Sequence, residues 1–498
     1  MKLIHKNINK LFLLLAVIAL PLSSCDQGFA EMNTNPNAIN EIDYNYLLSY
    51  AQLQTSGERY ENWRAILIYS STMVQHLAAL PTYWSGDKYL FNQGYSASLW
   101  ERGYRNYIKE IAELLDKTAG DPDYANLREV TRIWRVAAFH RMTDLYGDIP
   151  YSEAGNGFLT GNFSPAYDSQ ESIYRDMLKE LDEAASAVGS GSDEVPGDLI
   201  YDGDFTLWKK YAYSLMLRLA MRCSEVDPAL AQEYVGKATT GGVMTALSES
   251  ALVPHEDGPG GINRNGVGEV FAADDNQRLS ATFVDWMDGK GDPRLAVLGV
   301  VASGGDQKGL PNGFTTTSLA NYPGGTDLET YSRVNSVIAQ FNSPMMFQSY
   351  AEVELLLAEA AERGWHSGDA ATHYENGVRA AMQQWGELYD ASMAISETDI
   401  DDYIANNPYD AANAMEQIGE QYWAATFWNE YEAYANYRRT GYPDLVPVDF
   451  PGNEANSQVP RRLRYPSAEY GVNEANINAA IARQGADEFT TKMWWDAN

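Results

Sequence analysis

Two cysteines in 498 residues are too few for the disulfide framework that staples small secreted domains. One, Cys223, sits in an apolar helical pattern with Leu215, Leu219 and Ala220 and reads as a buried thiol. Basic side chains are also scarce, 36 against 68 acidic ones, for a formal net charge of −32. That imbalance repels phosphate, so no nucleic acid partner is expected, and no adhesion to anionic lipid through a basic face. It also favours neutral over polyanionic ligands. Histidine occurs only at positions 5, 76, 140, 255, 366 and 373. The nearest pair, His366 and His373, stands seven apart across a helix boundary, which is not a metal-ligand spacing, so neither a metal nor another cofactor is expected. No Walker loop, G-x-G-x-x-G, H-E-x-x-H or G-x-S-x-G is present. After residue 24 no apolar run approaches the roughly 20 residues of a membrane span.

The chain does open on an apolar stretch, Leu11–Leu20, behind a basic segment holding Lys2, His5, Lys6 and Lys10. Its end, Leu22-Ser23-Ser24-Cys25, resembles a bacterial lipobox, in which small residues precede a cysteine that becomes the lipidated first residue. Residues 1–24 are therefore expected to be a lipoprotein signal peptide and Cys25 the lipidation site. Residues 25–41, rich in asparagine, are expected to form a tether into a folded domain over 42–498. The mature protein would be anchored to a membrane without crossing it.

Helical periodicity dominates that domain. Leu127, Val130, Trp134, Ala137, Ala138, Arg141 and Leu145 follow a three-four spacing, stopped by Gly147 and Pro150. Similar patterns cover 44–56, 58–79, 97–117, 170–188, 204–225, 346–363, 369–385 and 411–438, with little strand-like alternation. The fold class is mainly α. The helices come in pairs, and Leu357, Ala358, Ala370, Tyr374 and Gly377 resemble the small-and-aromatic positions of a tetratricopeptide repeat. Divergent helical hairpins are expected, with loop-rich insertions near 240–278 and 300–345, where long irregular segments suit function.

Carboxylates are abundant, and a glycosidase needs two facing one cleft. Glu352, Glu354, Glu359 and Glu362 share a helix whose apolar side is taken by Val353, Leu356, Leu357 and Ala360, so several of these acids are expected to be solvated. Asp285, Asp288 and Asp292 lack a calcium-loop pattern and read as a surface turn. The stronger signal is aromatic: tyrosine, at 33, outnumbers phenylalanine, at 15. Tyr83, Trp84 and Tyr89 follow a helix among Ser85, Asp87 and Lys88, with Asn92 close behind. Flat rings stack on the C–H faces of sugars while asparagine and aspartate satisfy hydroxyls, each stacking contact contributing about 1 kcal/mol. Trp286, Phe314, Tyr322 and Tyr331 form a second set that could complete such a platform. The candidate ligand contacts are thus Tyr83, Trp84, Asp87, Tyr89, Asn92, Trp286, Phe314 and Tyr322, and no catalytic residue is assigned. Arg141, Asp144, Arg218 and Arg222, charged groups in apolar helices, are expected to tie helices together.

Phe139-His140-Arg141-Met142-Thr143-Asp144-Leu145-Tyr146-Gly147-Asp148-Ile149-Pro150-Tyr151 resembles a signature of SusD/RagB-type nutrient-binding lipoproteins. Further blocks are similar to that family in the same order: Asn33–Asn37 after Cys25, Trp208–Arg222, Ser349–Trp365, Arg438–Pro443 and Pro460–Pro466. The resemblance implies about four tetratricopeptide-like helix pairs and a lipid anchor at the outer-membrane surface. It also implies a lid over a TonB-dependent (SusC-like) β-barrel transporter, delivering captured glycan and not acting as an enzyme. Oligopeptide is the alternative ligand, and a helical glycoside hydrolase a remote alternative.

Overall fold

The computed structural model describes residues 43–456 and 458–497. The leader, Cys25 and the tether lie outside the described residues. Among the described residues, helices of nine or more residues are α1 (Tyr44–Thr55), α2 (Asn62–Ser71, wound with π-type bonds), α3 (Lys109–Lys117), α4 (Ala125–Tyr146) and α5 (Gln170–Ala187). They continue as α6 (Phe205–Arg222), α7 (Pro228–Gly241), α8 (Ala281–Lys290), α9 (Tyr350–Glu362) and α10 (Ala370–Gln384). The last four are α11 (Glu397–Asn406), α12 (Ala414–Ala425), α13 (Glu430–Thr440) and α14 (Glu474–Gln484).

Side-chain caps start many of these helices where the sequence supplies Asp or Ser. Asp204 accepts from the N–H of Thr206 and Leu207 at 2.8 and 3.2 Å, and Asp369 from that of Thr372 at 2.9 Å. Consecutive helices pack as hairpins, α4 on α5, α6 on α7 and α9 on α10. The α9–α10 approach depends on a missing side chain, since a Cβ on Gly377 would lie 2.7 Å from Leu355 Cγ. The chain thus has the helical-hairpin fold expected of it, and Trp134, Trp208 and Phe347 meet in its core at ring separations of 6.3 and 4.7 Å.

Three expected spans break. The 58–79 pattern stays helical through Ser71, then Gln75 takes a left-handed φ of 57° and Leu77–Ala79 become a strand. Ser70, Ser71 and Thr72 turn their hydroxyls back to the carbonyls of Ala65, Leu67 and Ile68 at 2.8, 2.6 and 2.6 Å, a local competition that weakens helix propagation. The 411–438 span divides into α12 and α13 at Trp428, whose φ is 77°. Residues 346–348, expected to open α9, belong instead to a strand, Met345–Gln348, before Ser349 caps the helix.

The described strands are β1 (Leu77–Ala79), β2 (Ala251–Val253), β3 (Gln277–Leu279), β4 (Gly299–Val300), β5 (Arg333–Val334) and β6 (Met345–Gln348). They form antiparallel pairs β1–β3, β2–β6 and β4–β5. The β1–β3 and β2–β6 pairs stitch irregular segments to chain that adjoins α2 and α9, and β4–β5 closes the 300–345 segment on itself.

Buried charge holds the helices in register. Arg218 on α6 donates to both oxygens of Glu352 on α9 at 2.6 and 2.7 Å and to the carbonyl of Phe347 at 2.6 Å. Arg222 reaches Glu432 on α13 at 2.6 Å. Arg439 clasps Glu359 through two 2.6 Å bonds. Arg141 reaches the Met346 carbonyl at 3.2 Å, and Asp144 accepts from Tyr174 Oη. These charged side chains are scaffold, as expected. Of the α9 acids only Glu362 is exposed as expected; Glu352, Glu354 and Glu359 are buried against partners on neighbouring elements.

Candidate functional site

The β1–β3 register, Leu77↔Leu279 to Ala79↔Gln277, sets the site. Antiparallel pairing places the chain leaving β1 beside the chain leading into β3. Tyr83 and Trp84 therefore meet Asp274 and Asn276. The Tyr83 hydroxyl donates to Asp274 Oδ2 at 3.0 Å and accepts from Asn276 Nδ2 at 3.0 Å. Trp84 Nε1 donates to the same Asp274 oxygen at 3.1 Å. Burial, and then the neighbouring Asp274 carboxylate, raise the Tyr83 phenol to about 12, so it stays a neutral donor at physiological pH.

The neighbours of this loop then separate by exposure. Tyr83 is 38% exposed, whereas Trp84, Asp87 and Tyr89 are fully enclosed. These three cannot stack on or bond to a ligand from solution, which corrects their assignment as contacts. They fasten the loop instead. Asp87 accepts from Lys88 Nζ at 2.7 Å, Asn312 Nδ2 at 2.7 Å and the Gly313 N–H at 3.0 Å. A side chain at Gly86 would drive into the Ile68 carbonyl at 1.9 Å, so the loop lies directly on α2. Asn92 is half-buried and caps a short helix, its Oδ1 accepting from the Tyr95 N–H at 3.2 Å.

The second aromatic set is split. Phe314 and Tyr322 pair at 5.5 Å and 65°, both half-buried against Leu80, Leu310 and Leu319. Phe314 lines a cleft of about 620 Å3 with Gln75, Thr282, Val448 and Phe450. Tyr331 is core. Trp286 on α8 packs edge-on to Trp423 at 5.8 Å, with the Lys290 ammonium 5.3 Å from its ring. Its ring contacts thus tie it to α12 and not to Tyr83.

Tyr83 has other aromatic company, which sequence reasoning missed. Trp63 lies 6.1 Å away at 78°, and Tyr60 stacks at 6.5 Å and 30° on Trp63. Tyr60 is 49% exposed, and Trp63 is half-buried. Positions 60, 63 and 64 share one helical face. There the Arg59 guanidinium sits 5.7 Å from both rings, and that of Arg64 4.9 Å from Tyr60, fixing the rings by cation–π contact. The helix widens into its π-type turn at Asn62, a feature often found at functional sites. The result is an aromatic ridge, Tyr60–Trp63–Tyr83, with Asn276 at one end. Flat rings beside fixed polar groups can hold a ligand with alternating apolar and hydroxylated faces.

Among the described residues, no group of three or more His, Cys, Asp or Glu could hold a metal ion. No described helix is long and apolar enough to cross a membrane.

No curated protein matches the chain. Solved structures do. A chitin-binding protein superposes with a TM-score of 0.85 at 35% identity, covering 92% of this chain and all of that one. A SusD-like protein described as Bacteroidetes AC2a gives 0.82 at 25%, with the same coverage. A chitin-binding SusD homologue from Flavobacterium johnsoniae gives 0.76 at 26%, covering 91% of this chain and 98% of its own. Residues 36–466 match the SusD-like family described as starch-binding and associating with the outer membrane. With that match running over most of its length, the chain belongs to the SusD-like family of outer-membrane-associated, starch-binding-type proteins.

Proposed function

We propose that this protein is a lipid-anchored surface receptor that captures a neutral glycan and delivers it to a TonB-dependent, SusC-like barrel, over which it acts as a lid. The observation that carries the reading is the ridge of exposed Tyr60 and Tyr83 with half-buried Trp63 between them, braced by Asp274 and two arginines. The two chitin-binding relatives, one of them 35% identical, support an N-acetylated, β-linked glycan as the ligand. Chitin suits the surface on physical grounds. It is uncharged, so the net charge of −32 does not oppose its approach, and its pyranose rings present the flat C–H faces that aromatic rings cover. Lipidation of Cys25 would hold the receptor at the outer membrane.

Isothermal titration of the full-length protein with chitin oligosaccharides, maltooligosaccharides and short peptides tests the reading. Saturable binding of chitin oligosaccharides, weakened roughly tenfold or more by Tyr83→Ala, is expected. Binding of peptides alone, or glycan binding indifferent to Tyr60, Trp63 and Tyr83, would overturn it. Pull-down from detergent-solubilised outer membrane is expected to recover a large β-barrel, and recovery of none would remove the lid.

A further inference from the structure

Away from the ridge residues in sequence, the α9–α10 turn brings together two histidines that no part of the glycan-binding reading uses. Helix α9 ends at Glu362, Gly364 takes a left-handed φ of 72°, and the N–H groups of Trp365 and His366 both return to the Ala360 carbonyl, at 2.8 and 3.2 Å. This fold-back aims His366 at His373, one turn into α10. Their Nε2 atoms lie 3.2 Å apart, with ring centroids at 5.1 Å. The sequence spacing of seven concealed this pairing.

We propose that His366 and His373 form a binding site for a borderline divalent transition metal, such as Zn2+. Three features support it. First, two imidazole nitrogens on one tetrahedral ion, each about 2.0–2.1 Å from it, stand about 3.3 Å apart, close to the spacing observed here. Second, His373 Nδ1 meets the buried Glu354 carboxylate at 2.7 Å, the carboxylate–histidine arrangement that fixes a ligand's tautomer and leaves Nε2 free to bind. Third, residue 368 is glycine, and a Cβ there would come 2.3 Å from His373 Nε2 and 2.6 Å from His366 Nε2. Any side chain would intrude on the nitrogen pair. With Nδ1–H of neutral His373 donating to Glu354, its Nε2 is an acceptor, so the metal-free contact is assigned as an N–H···N bond donated by His366 Nε2. On binding, that proton passes through solvent to His366 Nδ1, and both Nε2 lone pairs face the ion. The chain supplies two ligands, leaving the remaining positions to water or to a donor from outside the protein.

The test uses full-length protein without a histidine tag, stripped with a chelator and titrated with Zn2+ against a chromophoric competitor. One Zn2+ per chain is expected, weakened at least tenfold by His366→Ala and by His373→Ala, and about tenfold by Glu354→Gln. His366→Gln, which keeps a polar group in the turn, is expected to lose the site while leaving the melting temperature unchanged. Electron paramagnetic resonance of the Cu2+-loaded, unsubstituted protein is expected to carry hyperfine structure from two nitrogens, independently of any variant's folding. Undiminished binding in the double histidine variant, a Cu2+ spectrum with oxygen ligation alone, or no stoichiometric binding would overturn the proposal. None of these outcomes touches the aromatic ridge, so the glycan reading stands or falls separately.

Discussion

The buried carboxylate of Asp87 accepts the side-chain amide of Asn312 at 2.7 Å and so fastens the loop that presents Tyr83 to the segment that carries Phe314. The same carboxylate neutralises Lys88, which is equally buried. Removing one partner of a buried pair leaves the other charge uncompensated, at about 3–5 kcal/mol. Asp87→Ala is therefore expected to lower the urea midpoint by a corresponding amount and to weaken glycan binding with it. Urea unfolding alongside glycan titration checks both, and a variant of unchanged stability would refute the fastening role.

Tyr83 and Trp84 are adjacent, yet their side chains do different jobs. Tyr83→Ala removes an exposed ring and is expected to cost affinity roughly tenfold with little change in stability. Trp84→Ala empties an enclosed site and is expected to cost about 3–5 kcal/mol of stability. A melting curve and a glycan titration for each variant separate the two. The reversed pattern would return Trp84 to the ligand surface and leave Tyr83 as packing.

How far these roles were legible in the sequence depends on what fixes each one. Tyr83 stood out because an aromatic among Ser85, Asp87 and Lys88 fits no core period, but composition could not separate it from Trp84, whose indole turns inward to Asp274. Tyr60 and Trp63 were hidden by helical periodicity, since an i, i+3 aromatic pair reads equally as core or as an exposed face. Asn276 joins the site only through the β1–β3 register, and no local pattern encodes that pairing. The helical hairpins were readable because burial repeats every three to four residues. The solvated reading failed for Glu352 and Glu359 because their partners, Arg218 and Arg439, lie far away in the chain.

One of those acids gives the protein an acid-sensitive tie. Burial acts to raise the Glu359 carboxyl, but Arg439 and Arg363 outweigh it and hold the group below its ordinary value of 4.5. A carboxyl depressed in the folded state contributes stability that is present above about pH 4.5 and lost as pH falls through the folded value. Arg439→Met is expected to cost about 3–5 kcal/mol at pH 7, and the gap from the unsubstituted protein should narrow below pH 4.5 as Glu359 protonates. Urea titrations between pH 3 and 7 measure that gap. A pH-independent difference would assign the loss to packing alone.

Cys223 offers a readout of the helical body that is independent of ligand. It is fully buried, its Sγ–H facing the Leu219 carbonyl at 3.4 Å, and burial raises its thiol well above the ordinary value. An exposed thiolate attacks the reagent's disulfide and expels the coloured thiolate, and here both thiolate and access are suppressed. In a Cys25→Ser variant, which leaves Cys223 as the lone thiol, native protein is expected to resist a chromogenic disulfide, and one equivalent should react in denaturant. The rate under native conditions then reports opening of the α6 end, where Arg222 holds α13 through Glu432. Glu432→Gln weakens that hold by removing the opposing charge, so labelling should accelerate at least tenfold. Rapid labelling of the unsubstituted protein would show that this end of α6 opens without breaking the buried tie.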